Sequence, residues 1–146
     1  MPMSMEFARI NLIKTEYSPL SNWDYITDPA VIPDLNRIYQ QYCRYKKFSS
    51  VMPIFNSQYT DSSNDVIGYY DQNQLVAFSL IKRFNDKNAE CLQFAWDYQN
   101  PGLRLGIESL KNECAIYRNR GFNYLYLGTA DKYKKEIMGF EILGPI

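Results

Sequence analysis

Three features of this chain place reactive groups where they can do chemistry. The first is the segment NPGLRLG, in which Gly102 and Gly106 flank Leu103, Arg104 and Leu105 just ahead of a helical pattern. Glycine allows a ligand to approach the backbone closely, and a helix start offers free N–H groups and the positive end of the dipole. With Arg104 added, the segment suits a phosphate. Its plainer reading is a strand-to-helix turn with an exposed arginine. The second feature is Asp97, closing the apolar run AECLQFAWDY. A carboxylate against an apolar wall gains proton affinity and can serve as a base, directly or through water. Glu90 lies seven positions earlier, which period-two counting puts on the opposite strand face, so the two carboxylates do not form a pair. The third is Tyr133, whose phenol can donate a proton or simply pack as an amphipathic ring.

Other classes of chemistry are closed off. The chain has no histidine, so neither a Ser-His-Asp nor a Cys-His nucleophile system can be built from it. Cys43, Cys91 and Cys114 are widely spaced and odd in number; they do not read as a zinc site, and no metal is expected. Cys91 and Cys114 fall in core-like patterns and read as small buried hydrophobes. Lys+Arg and Asp+Glu are both 16, so there is no general electrostatic pull toward nucleic acid or membrane. MPMSMEFARI lacks a basic region followed by an apolar run, and no segment approaches the ~20 apolar residues of a membrane span. The expectation is a cytoplasmic protein with free thiols. A length of 146 residues suits one domain over 1–146.

The elements that would position these groups follow from periodicity and turn chemistry. Residues 7–17 alternate as a first strand, and 18–29 form a polar connection. Residues 33–47 place Leu35, Ile38, Tyr39, Tyr42 and Tyr45 at helical spacing, with a proline near the start and lysines at the end. Residues 48–64 read as an irregular loop. Strands are predicted at 65–70, 75–84 and 89–98, joined by turns at 71–74 and 85–88. A helix at 106–120 aligns Ile107, Leu110, Cys114 and Tyr117 and stops at Gly121. A buried strand at 122–127, a short helix at 131–138 and a closing strand at 139–143 complete the order. The helix between the third meander strand and the apolar strand implies a crossover and a parallel strand pair.

The run AWDYQNPGLRLGIESLKNECAIYRNRGFNYLYLGT and the closing KKEIMGFEILGP resemble the GNAT acyltransferase superfamily. The resemblance covers about residue 65 to the end. It implies an α/β fold of the α+β type, with a mixed, mostly antiparallel central sheet flanked by helices. In that family a glycine-bearing loop of the form Q/R-x-x-G-x-G/A holds the pyrophosphate of coenzyme A; here three residues separate the two glycines. Gly139, Phe140 and Glu141 match the family's closing G-F-E.

On this resemblance the activity is N-acyl transfer, with acetyl-coenzyme A or another acyl-coenzyme A as donor. The acyl group passes directly to a small-molecule or peptide amine. Gly102, Leu103, Arg104, Leu105 and Gly106 would hold the donor's phosphates, and the strand edge at Ala95 and Trp96 its pantetheine arm. Tyr133 would protonate the leaving thiolate, and Asp97 would be the base. Two alternatives stay open. One is a GNAT-like binding domain without catalysis. The other is aminoacyl transfer from tRNA, because Tyr124–Gly128 (YLYLG) with Tyr133 and Lys134 is similar to arginyl- and leucyl-tRNA–protein transferases. Zero net charge speaks against a nucleic-acid partner. The closing strand allows a homodimer without requiring one.

Overall fold

The structure is a computed structural model and describes residues 6–46, 54, 56–97, 105–129, 134 and 136–145. Its strands are β1 (Glu6–Asn11), β2 (Trp23–Tyr25), β3 (Asn64–Asp71), β4 (Gln74–Arg83), β5 (Asn88–Trp96), β6 (Tyr124–Thr129) and β7 (Phe140–Pro145). Its α-helices are α1 (Ile32–Lys46), α2 (Asn56–Thr60) and α3 (Leu105–Asn119). The strands form one seven-stranded sheet in the order β2-β3-β4-β5-β6-β1-β7. Each neighbouring pair is antiparallel except β5 and β6, which run parallel across the α3 crossover.

Helix α1 covers one face of the sheet, where Leu35, Ile38, Tyr39 and Cys43 pack with Val66, Phe78, Leu80 and Ala95. Helix α3 covers the other, where Ile107, Leu110, Cys114 and Tyr117 pack with Ile67, Tyr69, Ala77, Ile81 and Leu125. Burying both faces is what a mixed sheet needs, and burial of these side chains is the main favourable term in folding.

Local chemistry sets the element ends. Gln72 and Asn73 both take positive φ, 50° and 64°, the arrangement that lets a tight hairpin follow the twist of its strands. Asn85 Oδ1 accepts from the backbone N–H groups of Lys87 and Asn88 at 2.8 and 2.9 Å, closing the second hairpin. Helix α3 ends at Gly121, with φ 88°. The N–H of Phe122 reaches the Tyr117 carbonyl at 2.9 Å and that of Gly121 the Arg118 carbonyl at 3.0 Å, which satisfies carbonyls a helix otherwise leaves bare.

Several sequence expectations need correction. The first strand is shorter than 7–17: it gives way to a 3-10 turn at Leu12–Lys14, where the Thr15 hydroxyl and N–H both bond the Leu12 carbonyl. The polar connection at 18–29 contains β2, an edge strand. The loop at 48–64 contains α2. The apolar strand begins at Tyr124 rather than 122, because Phe122 belongs to the helix stop. The short helix at 131–138 lies largely outside the described residues. No helix among the described residues is long and apolar enough to cross a membrane.

Candidate active site

The opening in the sheet arises where β5 and β6 part. They pair at Asn88 with Tyr124, Ala89 with Leu125 and Glu90 with Tyr126. Beyond Glu90, β5 stays with β4 as far as Trp96, while β6 stays with β1 as far as Thr129. The gap forms a cleft of about 200 Å³, lined in part by Ser79, Cys91, Phe94, Gly106, Glu113, Leu127 and Lys134.

A β-bulge shapes the β5 wall. Leu80 opposes Gln93 and Ile81 opposes Cys91, which leaves Leu92 as an extra residue. A bulge resets the alternation of faces. Cys91 lies 3.9 Å from Glu113 of α3, while Gln93 donates to the Tyr39 hydroxyl of α1 at 3.3 Å and the Phe94 ring meets Tyr42 of α1 edge-on, with centroids 6.5 Å apart. Period-two counting from Glu90 to Asp97 therefore does not carry through this strand.

The floor of the cleft holds a carboxyl group. Glu113 is 3% exposed. Its Oε2 accepts from the Tyr69 and Ser79 hydroxyls, each at 2.6 Å, and the Cys91 thiol lies 3.9 Å from its Oε1. Asn112 Nδ2 donates to the Tyr69 oxygen at 3.2 Å, and the Asn112 Oδ1 accepts from the Leu20 N–H at 2.7 Å. Burial pushes the Glu113 carboxyl up to about 7, against the hydrogen bonds from Ser79, Tyr69 and Cys91, which favour the ionised form.

Both protonation states have partners. When Glu113 is ionised, Tyr69 and Ser79 donate to it. When it is protonated it donates to one of them, and the Tyr69 hydroxyl can turn to the Ser109 carbonyl, 3.1 Å away. A buried carboxyl that gains and loses a proton near neutrality without stranding a polar group is suited to general acid–base work. Cys91 is half-buried as a residue. Burial, then the charge on Glu113, push its thiol up, while Lys134 pulls it down.

The sequence-derived site residues are dispersed. Gly106 lies at the cleft in the first turn of α3, and a Cβ added there meets nothing within 4 Å among the described residues. Leu105 opens the same helix. Ala95 and Trp96 are buried at the end of β5. Asp97 follows β5, does not line the cleft, and pairs with Arg37 of α1 at 3.6 Å. Gly102, Leu103, Arg104 and Tyr133 lie outside the described residues. Sequence reasoning missed Glu113, although a signal was present: it falls between Leu110, Cys114 and Tyr117 on the apolar stripe of α3.

A larger hollow, of about 650 Å³, opens between β2, β3 and the start of α1, with Asp28, Asp61, Asp65 and Arg120 around it. Those charges are engaged in holding the fold. Asp28 caps Ala30, Asp61 accepts from Ser63, and Asp65 accepts from Tyr117 at 2.6 Å and Arg120 at 2.8 Å. The smaller cleft therefore carries the functional argument. No group of three or more Cys, Asp or Glu residues that could hold a metal is found among the described residues.

No protein-family model matches the chain, and no curated protein matches its sequence. Solved structures do match its fold. L-PGS from Bacillus licheniformis is 12% identical with a TM-score of 0.69, over 86% of this chain and 46% of that one. Saccharomyces cerevisiae N-myristoyltransferase with bound myristoyl-CoA is 9% identical at 0.65, over 97% and 48%. A GCN5-related N-acetyltransferase from Kribbella flavida is 13% identical at 0.60, over 95% and 54%. The chain thus spans about half the length of each of these structures. At such identities the likeness is one of fold, and the fold is that of the GNAT acyltransferases.

Proposed function

We propose that the chain transfers an acyl group from an acyl-coenzyme A thioester to an amine. The observation that carries this reading is the parting of β5 and β6 beside the start of α3, with a titratable carboxyl at the base of the gap. A thioester donor needs a slot for its narrow arm, a cradle for its phosphates and a group that handles one proton. The gap is the slot. The first turn of α3, at Leu105 and Gly106 with Gly102, Leu103 and Arg104 ahead of it, is the cradle, since helix N–H groups and an arginine favour phosphate. The pantetheine arm runs along the β5 stretch that includes Ala95 and Trp96.

Glu113 takes the proton that the reaction releases. We assign the base to Glu113 in preference to Asp97 because Glu113 lines the cleft and Asp97 is drawn to Arg37. Tyr133 remains the proposed donor to the leaving thiolate. Solved neighbours whose names include acetyltransferase and N-myristoyltransferase support acyl transfer in this fold, and the bound myristoyl-CoA of one supports the donor class. The acceptor is proposed as a small-molecule or peptide amine.

Calorimetric titration with acetyl-coenzyme A tests the donor. Saturable one-to-one binding is expected, with about 2.7 kcal/mol of added stability at a ligand concentration of about 100 times Kd. Gly106→Trp should abolish binding without unfolding the chain, because Gly106 lines the cleft and a Cβ there meets nothing within 4 Å among the described residues. Absence of binding by the unaltered protein would defeat the proposal.

A further inference from the structure

Asn112 has no part in the chemistry proposed so far. It is 0% exposed within α3, at a position that a leucine would fill with no polar group to satisfy. Ser109, Asn112 and Glu113 stand at i, i+3 and i+4 and so share one face of α3, where all three meet the Tyr69 hydroxyl of β3. The Asn112 amide has one orientation. Its Oδ1 accepts from the Leu20 N–H at 2.7 Å, which leaves Nδ2 as the end that donates to the Tyr69 oxygen at 3.2 Å. The Tyr69 hydrogen then goes to an acceptor. Of the two in reach, Glu113 Oε2 at 2.6 Å is closer than the Ser109 carbonyl at 3.1 Å.

We infer that Asn112 is a positioning residue for the base: by holding Tyr69 as a hydrogen-bond donor, it favours the ionised Glu113 that accepts the proton in transfer; this rests on the acyl-transfer reading above. The Tyr69 oxygen already receives the Asn112 N–H, so it is a poorer acceptor for a protonated carboxyl, whose hydrogen is left to Ser79, 2.6 Å away. Donor bonds favour the charged form of a carboxyl, and burial favours the neutral one. Asn112 thus works against burial, which alone would carry Glu113 above the value of about 7 that suits a base. Leu20 belongs to the connection between β1 and β2, so that connection, through Asn112, sets where the Tyr69 hydrogen points. The groups around Glu113 are Tyr69 of β3, Ser79 of β4, Cys91 of β5 and, on its own helix, Cys114 and Tyr117, with Lys134 in the same cleft. Burial pushes both tyrosines and both thiols up, away from the interval in which Glu113 titrates.

The test follows the Glu113 carboxyl itself. The whole chain is isotope-labelled at the glutamate side-chain carboxyl and titrated by NMR, the Glu113 signal being identified by its loss in Glu113→Gln. Asn112→Leu should move the Glu113 midpoint up by about half a unit to one unit. Tyr69→Phe should also move it up. Asn112→Leu added to Tyr69→Phe should move it no further, because the effect passes through the Tyr69 hydroxyl. Asn112→Ala, which leaves room for water at the Leu20 N–H, serves if leucine hinders folding, and a rise is expected there too. A lower urea midpoint at every pH, with the Glu113 midpoint unmoved, would make Asn112 a structural residue and overturn the inference. Shifts that simply add in the double variant would overturn it as well. Acetyl-coenzyme A binding is measured on the same samples by calorimetry. Failure of the unaltered protein to bind would defeat the donor reading, while the carboxyl midpoints would still decide what Asn112 does to Glu113.

Discussion

Glu113 gathers most of the polar chemistry of the interior, and its proton is linked to stability. The folded value of about 7 stands above the ordinary 4.5. Between those values the folded state holds more protons than the unfolded one, so stability falls as pH rises through the window. The contribution is fully present below about pH 4.5 and is lost above about pH 7. The difference amounts to about 3 kcal/mol. Glu113→Gln keeps an acceptor for Tyr69 and Ser79 and removes the buried charge. Its unfolding free energy in urea should vary less with pH than that of the unaltered protein, and it should exceed it at about pH 8. A variant equal to wild type at both ends of the window would disprove the linkage. The residue was legible in principle, because a glutamate on an apolar helix stripe must find partners or a function. Its partners were not, since Tyr69, Ser79 and Cys91 come from three strands that only the register brings together.

At the scale of elements, two glycines with positive φ separate backbone freedom from close approach. At Gly121, with φ 88°, an added Cβ meets nothing within 4 Å among the described residues; Gly139, with φ 77°, would drive a Cβ into the Asn11 carbonyl oxygen. The N–H of Asn11 also bonds the Gly139 carbonyl at 2.8 Å, so the close approach joins β1 to the start of β7. Gly121→Ala should cost about 1 kcal/mol from strain alone. Gly139→Ala should cost more, about 3 kcal/mol, because it combines strain with a backbone clash. Thermal unfolding of the two variants side by side checks the order, and equal losses would contradict it. The hairpins of the meander, the crossover helix and its glycine stop were readable from turn residues and periodicity. The bulge at Leu92 was not, because which residue between Glu90 and Phe94 is the extra one depends on how the strand pairs with β4. The shortness of β1 was hidden for a related reason: Leu12 is buried in a 3-10 turn and keeps the apolar pattern running past the strand's end.

For the whole molecule, the cleft joins folding and chemistry through one proton. A base must be ionised to accept a proton, so acyl transfer should rise with pH through about 7, the value to which burial brings Glu113. Stability falls over the same interval, for the reason worked out above. The two profiles should therefore cross: the form competent in transfer is the less stable one, with a charge held under α3 where a neutral group would be cheaper. Burial pushes the neighbouring Tyr69, Cys91 and Cys114 up, away from this interval. Measured on one preparation, the rate of acetyl transfer to an amine against pH and the urea midpoint against pH should move in opposite directions around one apparent pKa. Glu113→Gln should remove that inflection from the stability curve and suppress transfer across the range. If transfer instead followed stability downward as pH rose, the protonated carboxyl would be the active form, and Glu113 would act as an acid toward the leaving sulfur.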